Sequence, residues 1–226
     1  MFVRIYGTIC VSIEGLSYKL ISIFSDMEGF NFKGEIIMAL LNLIEEYVNL
    51  VVKKQNLEKI IEDCNRNIIY ARHKGDTAFA NKNYELEKAY NMSVRDSKEK
   101  KYKSASTLIN INNKLNNIHQ IYLQTVTSMS DKDLVETINI ISRKVCTLGS
   151  ELSIIETKKE EASKNSEVAY ANKNYELEYK YNDISKECYK EMEKTISVLS
   201  CYKSFITDLK FRVDKQPEAI PVGLSK

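Results

Sequence analysis

The two histidines are the first residues to consider for catalysis or metal binding, because imidazole serves both purposes at neutral pH. Neither His73 nor His119 belongs to an H-E-x-x-H or Glu-x-x-His spacing, which would place metal ligands on one face of a helix. His73 stands between Arg72 and Lys74 and is predicted to be solvated. His119 lies beside an apolar stripe, and a position at the helix surface or the edge of the core is favoured there over metal ligation.

The cysteines indicate neither a zinc site nor a disulfide framework. The chain contains Cys10, Cys64, Cys146, Cys188 and Cys201, an odd number without any C-x-x-C pair. This usage is typical of a reducing compartment, so a cytoplasmic location is predicted. Cys64 and Cys188 fall on apolar stripes of helical spacing and are predicted to be small core residues.

Nucleotide-binding and acyl-transfer motifs are also missing from the sequence. It contains no G-x-G-x-x-G, Walker or G-x-S-x-G pattern. Adjacent carboxylates such as Glu45 and Glu46 point about 100° apart on a helix, so they do not converge on one substrate. The sequence therefore predicts a protein that is not an enzyme and that uses no cofactor or metal ion.

The charge balance argues against a general affinity for polyanions. The chain has 33 basic and 31 acidic residues, and its formal net charge is +2. One local run is rich in lysine, because Lys98, Lys100, Lys101 and Lys103 surround Tyr102. This possible basic patch is either a solvated helix face or a contact for nucleic acid or another anionic surface.

No transmembrane or secretory segment is expected. No window of the sequence holds 18 uninterrupted apolar residues, which a membrane-spanning helix would require. Arg4, Glu14 and Lys19 interrupt the apolar residues at the N-terminus, whereas a signal peptide has a continuous hydrophobic run. Cytoplasmic residence is the resulting expectation.

An eight-residue string that occurs twice is the main organising feature of the sequence. Residues 80–87 and 171–178 both read Ala-Asn-Lys-Asn-Tyr-Glu-Leu-Glu, at an offset of 91 residues. Between Ala71/Ala162 and Asn91/Asn182, 12 of the 21 pairs at this offset are identical, where chance would give roughly one. The chain therefore contains an internal duplication.

Two interpretations of the repeated string remain open. Asn83 and Asn174 lie on the apolar stripe, and a polar residue at a core position of a coiled coil typically fixes the register. Alternatively the string is a paired recognition surface, because tyrosine is enriched at interfaces and the chain has 14 tyrosines. Core packing leaves unexplained why exposed positions such as Lys82 and Lys173 are identical, and a recent duplication would also account for that identity. The candidate interaction residues are Phe79, Asn83, Tyr84, Tyr90, Tyr170, Asn174, Tyr175 and Tyr181.

Long helices are predicted to carry these residues. Both prolines lie beyond residue 214, and only Gly75 and Gly149 interrupt residues 35–222. Helices are normally ended by such residues, so their scarcity predicts a mainly α fold. Apolar residues recur at three- and four-residue steps through both repeats, as on one face of an amphipathic helix.

Two helical architectures fit the duplication, with a break at Ser130, where a capping box begins a new helix. If each repeat is one helix, the chain is a long antiparallel helical hairpin or coiled coil, and ~90 residues span ~135 Å. If each repeat bends at Gly75-Asp76 or Asn165-Ser166, the chain is a four-helix up-and-down bundle. The apolar stripe keeps its phase across both sites, which favours the long helices.

The N-terminal region follows a different pattern. From Val3 to Ile13 apolar residues alternate with polar ones, and this period of two predicts a strand. Glu14-Gly15 can turn the chain into a second apolar run, so a short β-hairpin is predicted, with an amphipathic helix as the alternative. The predicted organisation is an N-terminal β-hairpin and loop at 1–33, helical repeat 1 at 34–128, helical repeat 2 at 129–213 and a flexible tail at 214–226.

Together these features predict a non-enzymatic α-helical scaffold or adaptor that mediates protein–protein interaction or self-assembly. Its partner would be another protein or a second copy, in a homodimer or higher oligomer. One alternative is a helical module that binds nucleic acid or an anionic surface through the basic patch. A second alternative is a small-molecule-binding helical bundle, in which the repeated asparagines and tyrosines line a symmetric pocket.

Overall fold

Four long helices, joined by short connections, make up the described chain. A computed structural model describes residues 32–215. Helix α1 spans Phe32–Ala80, α2 spans Tyr84–Ser128, α3 spans Asp131–Ala171 and α4 spans Tyr175–Lys215. Helix α1 packs against α2 to form hairpin 1, and α3 packs against α4 to form hairpin 2. The two hairpins follow each other along the chain and correspond to the two sequence repeats.

The hydrophobic core lies where the two hairpins meet, and we call this region the base. It is built from the first turns of α1 and α3 and the last turns of α2 and α4. Leu40 and Leu209 are both completely inaccessible to solvent there. The buried cluster comprises Ile37, Leu40, Ile44, Val48, Tyr122, Val126, Met129, Leu134, Ile138, Ile141, Tyr202 and Leu209.

The connection between the hairpins is a capped turn at the base. Ser130 is the N-cap of α3, and its hydroxyl accepts a hydrogen bond from the backbone amide of Asp133 at 3.3 Å. The same hydroxyl donates to the Asp133 carboxylate at 2.6 Å. The residue before the cap, Met129, is buried in the base, so the turn is held by both a cap and a hydrophobic contact. The predicted break and its capping pattern are confirmed.

At the base, α1 and α4 pack against each other through apolar faces. Tyr47 packs edge-on against Phe205 with 5.3 Å between ring centroids. Further from the base the same face of α1 carries Glu58 and Glu62, and both are exposed. A helix buries only its apolar stripe, so two faces of charged residues do not pack together.

Beyond the base each hairpin therefore forms a separate arm. Among the hydrogen bonds, ion pairs and ring contacts of residues 32–215, the salt bridge between Lys59 and Glu193 is the one between hairpins that lies furthest from the base. Beyond it, no hydrogen bond, ion pair or ring contact joins the two hairpins within residues 32–215. We call the segments beyond Lys59 and Glu193 arm 1 and arm 2.

Small residues line the seam inside each arm and let the two helices approach closely. In arm 1 they include Ala71 and Ala78, and in arm 2 the equivalent Ala162 and Ala169, all of them buried. Gly75 is also buried, and a Cβ atom added to it would lie 3.6 Å from the Cβ of Tyr90 on α2. Close packing of this kind needs short side chains at the helix contact.

Replacing Gly75 with serine is expected to raise the free energy of unfolding by about 0.5–1 kcal/mol. The equivalent residue in arm 2 is Ser166, whose hydroxyl donates to Asn182 at 2.9 Å. In arm 1 the corresponding Asn91 side-chain oxygen lies 4.0 Å from the Cβ position at Gly75, so serine has both space and an acceptor. Chemical denaturation followed by circular dichroism would measure the change.

Gly149→Ser is the matched control, because a Cβ added at Gly149 meets no atom within 4 Å. It reports the gain in helix propensity alone. A gain at Gly75 no larger than at Gly149 would rule out the added hydrogen bond.

The structure decides between the two predicted architectures. Each repeat contains two helices, so the four helices of the second architecture are confirmed and pack in pairs, and neither repeat is one continuous helix. The predicted bends at Gly75-Asp76 and Asn165-Ser166 are wrong, because both sites lie inside helices. Gly75 instead permits the close approach of Tyr90. The predicted N-terminal β-hairpin at residues 2–24 lies outside the described residues, as do residues 216–226 of the predicted tail.

Candidate functional site: the hairpin tips

The repeated string forms the turn at the end of each arm. Helix α1 ends at Ala80 and α2 begins at Tyr84, so residues 81–83 reverse the chain; residues 172–174 do the same in hairpin 2. We call residues 79–87 tip 1 and residues 170–178 tip 2. Both tips lie at the end of the molecule opposite the base, because each hairpin runs from the base to its turn.

The two turns have the same backbone hydrogen bonds. In tip 1 the amide of Lys82 donates to the Phe79 carbonyl and the amide of Asn83 donates to the Ala78 carbonyl, each at 2.9 Å. This pair of bonds defines a Schellman motif, which closes the C-terminus of α1. Tip 2 repeats both bonds at the same distance, from Lys173 to Tyr170 and from Asn174 to Ala169.

The last asparagine of each turn begins the next helix. The side-chain oxygen of Asn83 accepts a hydrogen bond from the amide of Leu86 at 3.2 Å, and Asn174 does the same for Leu177. These are N-cap bonds, which satisfy amides that have no partner in the first turn of a helix. The predicted role of Asn83 and Asn174 as buried register residues is therefore wrong, because both are exposed caps.

Aromatic side chains project from both tips into solvent. Phe79 is 60% exposed and Tyr84 is 62% exposed, and their ring centroids lie 6.3 Å apart in an edge-to-face arrangement. In tip 2 the Tyr170 and Tyr175 rings are 63% and 55% exposed and lie 6.4 Å apart at the same angle. Each pair bridges the end of one helix and the start of the next, so the turn geometry sets its position.

The other two candidate tyrosines are placed differently. Tyr90 is half-buried and packs against the small cluster of Ile68, Ala71 and Val94 inside arm 1. Tyr181 occupies the equivalent half-buried position in arm 2. Conversely, sequence reasoning did not select Leu86, which is also exposed at tip 1. Leu86 belongs to the repeated string, and the identity of this string in both repeats is the signal that could have identified the residue.

Lysine occupies the most strained backbone position of each tip. Lys82 has φ of 58° and Lys173 has φ of 56°, and they are the only non-glycine residues with positive φ in the described chain. This left-handed conformation costs an ordinary L-residue about 1–2 kcal/mol, whereas glycine adopts it freely. Both repeats nevertheless carry lysine there. The identity of these two positions is visible in the sequence, but their left-handed backbone conformation is not.

Replacing Lys82 with glycine is expected to stabilise hairpin 1 by about 1 kcal/mol, because glycine favours the left-handed position after a helix end. Thermal denaturation would measure the gain. Lys88→Gly is the control of opposite sign, since Lys88 lies inside α2, where glycine costs about 1 kcal/mol relative to good helix formers. Equal destabilisation by the two substitutions would contradict the assigned conformation.

The possible basic patch is divided between two sides of α2. Lys98 and Lys103 border an open groove of about 470 Å³ with Tyr102 and Arg95. Lys100 borders a separate groove. Lys103 is paired with Glu99 at 2.7 Å, and this partner raises the pKa of the lysine and lowers that of the glutamate. A nucleic-acid contact through these lysines stays a prediction.

One polar network at the base was not found from the sequence. The Tyr122 hydroxyl donates to Asp208 at 2.7 Å, and the Arg212 guanidinium donates to the same carboxylate oxygen at 2.9 Å. Burial and the Asp208 hydrogen bond raise the pKa of Tyr122. Burial opposes ionisation of Asp208, but the bonds from Arg212 and Tyr122 outweigh it and lower the pKa of its carboxyl. The network ties α2 to α4 and has the character of a structural link.

The two predicted core cysteines and both histidines lie within the described residues 32–215. Cys64 and Cys188 are buried, as predicted, and His73 and His119 are exposed. In this range no group of three or more His, Cys, Asp or Glu side chains is arranged to hold a metal ion. None of the four helices combines the length and the apolar character needed to cross a membrane.

Comparison with known proteins adds no relative. Neither a protein-family model, nor a curated protein, nor a solved structure showed a significant match to the chain.

Proposed function

We propose that this protein is a non-enzymatic α-helical adaptor that binds other protein surfaces through its two tips. One observation carries the proposal: two tips at the same end of the molecule present the same exposed side chains, except that Phe79 of tip 1 corresponds to Tyr170 of tip 2, and their ring pairs have the same geometry. The base holds the two hairpins together, and the arms carry the tips away from it. The rest of the chain thus serves to position a duplicated binding surface.

The fold does not require the exposed residues that the tips share. Asn83 and Asn174 are needed as caps, but Tyr84 and Tyr175 are more than half exposed and support no core. Lysine at the left-handed position lowers stability compared with glycine. Residues that are kept in both copies without a structural benefit are better explained by binding than by folding.

The chemistry of the tips suits a protein surface. Tyrosine and phenylalanine are enriched in protein interfaces, where a large rigid ring is buried at little entropic cost. Within the repeated string Lys82 is accompanied by Glu85 and Glu87, so the tip has no excess of positive charge. A surface that binds an anionic membrane or a nucleic acid would be expected to carry such an excess of positive charge.

A site-specific photo-crosslinker tests this proposal. Tyr84 or Tyr175 would each be replaced by a photoreactive phenylalanine analogue in the cells that produce the protein. Crosslinked protein products are expected from both tip positions. Tyr102 is the control, because its side chain is 71% exposed but lies on α2 away from the tips. Equal yields from Tyr102 and from the tips would refute the tips as the binding surface.

A further inference from the structure

The two tips are arranged so that both can meet one flat or symmetric partner. Each tip lies about 20 residues beyond the Lys59–Glu193 salt bridge, so both arms extend roughly 30 Å from it. Both arms start from one base, and α1 and α4 run side by side from the Tyr47–Phe205 contact to the Lys59–Glu193 salt bridge. A partner that contacts one tip therefore comes within reach of the other.

The exposed apolar area of the two tips together is close to what a stable dimer needs. Six large side chains contribute, and on average about half of each is exposed. At roughly 200 Å² for a large side chain, this amounts to on the order of 600 Å² per molecule. A standard interface buries about 800 Å² per partner, so one tip alone is insufficient and two tips approach the requirement. The six are Phe79, Tyr84, Leu86, Tyr170, Tyr175 and Leu177.

The charges on each tip complement those on another copy of itself. Lys82 lies at the turn and Glu85 lies in the first turn of α2, and both are exposed, so each tip carries opposite charges on its surface. Neither side chain has an ion-pair partner in the described part of the chain, and the same holds for Lys173 and Glu176. When two such tips meet head to head, each lysine can face a glutamate of the other copy.

We infer that the partner of the tips is a second copy of this chain, bound end to end through both tips at once. Because tips 1 and 2 differ only in Phe79 and Tyr170, two molecules that face each other can use all four tips and leave none free. Such an assembly is closed and does not grow into a filament. The inference deepens the proposed function, on which it rests, by naming the partner.

The mass and length of the purified protein test this inference. Light scattering on a sizing column is expected to show a dimer at micromolar concentration. Helix α1 has 49 residues and is about 75 Å long, so an end-to-end dimer should reach roughly 150 Å in small-angle X-ray scattering. A monomer, or a dimer no longer than one molecule, would overturn the inference.

Single-tip variants give the sharpest result. Tyr84→Ala combined with Phe79→Ala removes the rings of tip 1 only, and Tyr175→Ala combined with Tyr170→Ala removes those of tip 2 only. Because binding through two linked contacts exceeds binding through one by about 10²–10⁴-fold, either variant should weaken dimerisation at least 100-fold. Dimerisation unchanged in either variant would contradict the use of both tips. Tyr102→Ala is the matched control and should leave the dimer intact.

A charge exchange guards against variants that simply unfold. Lys82→Glu with Lys173→Glu should dissociate the dimer by placing like charges together, while the helix content measured by circular dichroism stays the same. Adding Glu85→Lys and Glu176→Lys should restore it, because the complementary pairs are re-formed in reverse. Failure of the restored charges to recover the dimer would refute the head-to-head pairing.

The inference and the proposed function can fail separately. If the purified protein is monomeric but crosslinks to a different protein from both tips in cells, the adaptor role stands and the second-copy partner is wrong. If the tips give no more crosslinked product than Tyr102 and the protein is monomeric, both are wrong.

Discussion

Replacing Leu209 with alanine is expected to lower the free energy of unfolding by about 2–5 kcal/mol. The Leu209 side chain is completely buried in the base, in a cluster to which all four helices contribute. Removing three carbon atoms there loses their transfer free energy and leaves a cavity that long, straight helices cannot easily close. Because the base contains most of the contacts between hairpins, the loss should affect the whole molecule in one cooperative transition.

Ile154→Ala is the matched control for this substitution, since Ile154 is 68% exposed on α3 and lies outside both tips. It should cost less than about 1 kcal/mol, because little apolar surface is withdrawn from water there. Urea denaturation followed by circular dichroism would measure both variants. Similar losses from the two substitutions would mean that the base is not the main stabilising core.

Removing the Asp208 carboxylate is the second substitution with a large expected effect. Asp208→Ala leaves the buried Tyr122 hydroxyl without its acceptor and Arg212 without its ion pair, at a cost of about 1–3 kcal/mol. Asp183→Ala is the control, because the Asp183–Lys186 pair is exposed on the surface of α4 and contributes little. A double-mutant cycle with Tyr122→Phe would isolate the energy of the Tyr122–Asp208 bond.

The same network predicts how stability depends on pH. The pKa of Asp208 is lower in the folded protein, so its contribution is present above the unfolded pKa near 4 and is lost as the pH falls through the folded value. The pKa of Tyr122 is raised, so its contribution is present below about pH 10 and is lost as the pH rises towards the folded value. Denaturation of the wild type and of Asp208→Ala between pH 2 and pH 7 should show their difference shrink as the acid range is entered. A difference independent of pH would contradict the charged hydrogen bond.

The helical character, the duplication and the break between the repeats follow from the order of the amino acids alone. These depend on local signals: scarce proline and glycine, apolar residues at helical spacing, and the Ser130 cap with Asp133 three residues later. Each of these acts within one or two turns of chain, so it can be read without knowing what packs where. The burial of Cys64 and Cys188 followed from the same periodicity.

The place where each repeat turns and the role of the repeated string depend on contacts between helices. Glycine often ends a helix, but the role of Gly75 depends on how closely Tyr90 of another helix approaches it. Asn83 can serve as a core polar residue or as a cap, and the choice depends on whether the chain reverses there. Which faces of α1 and α4 meet at the base depends on contacts such as that of Tyr47 with Phe205, which lie far apart in the sequence. Such contacts between distant residues are set by packing, which no local pattern specifies.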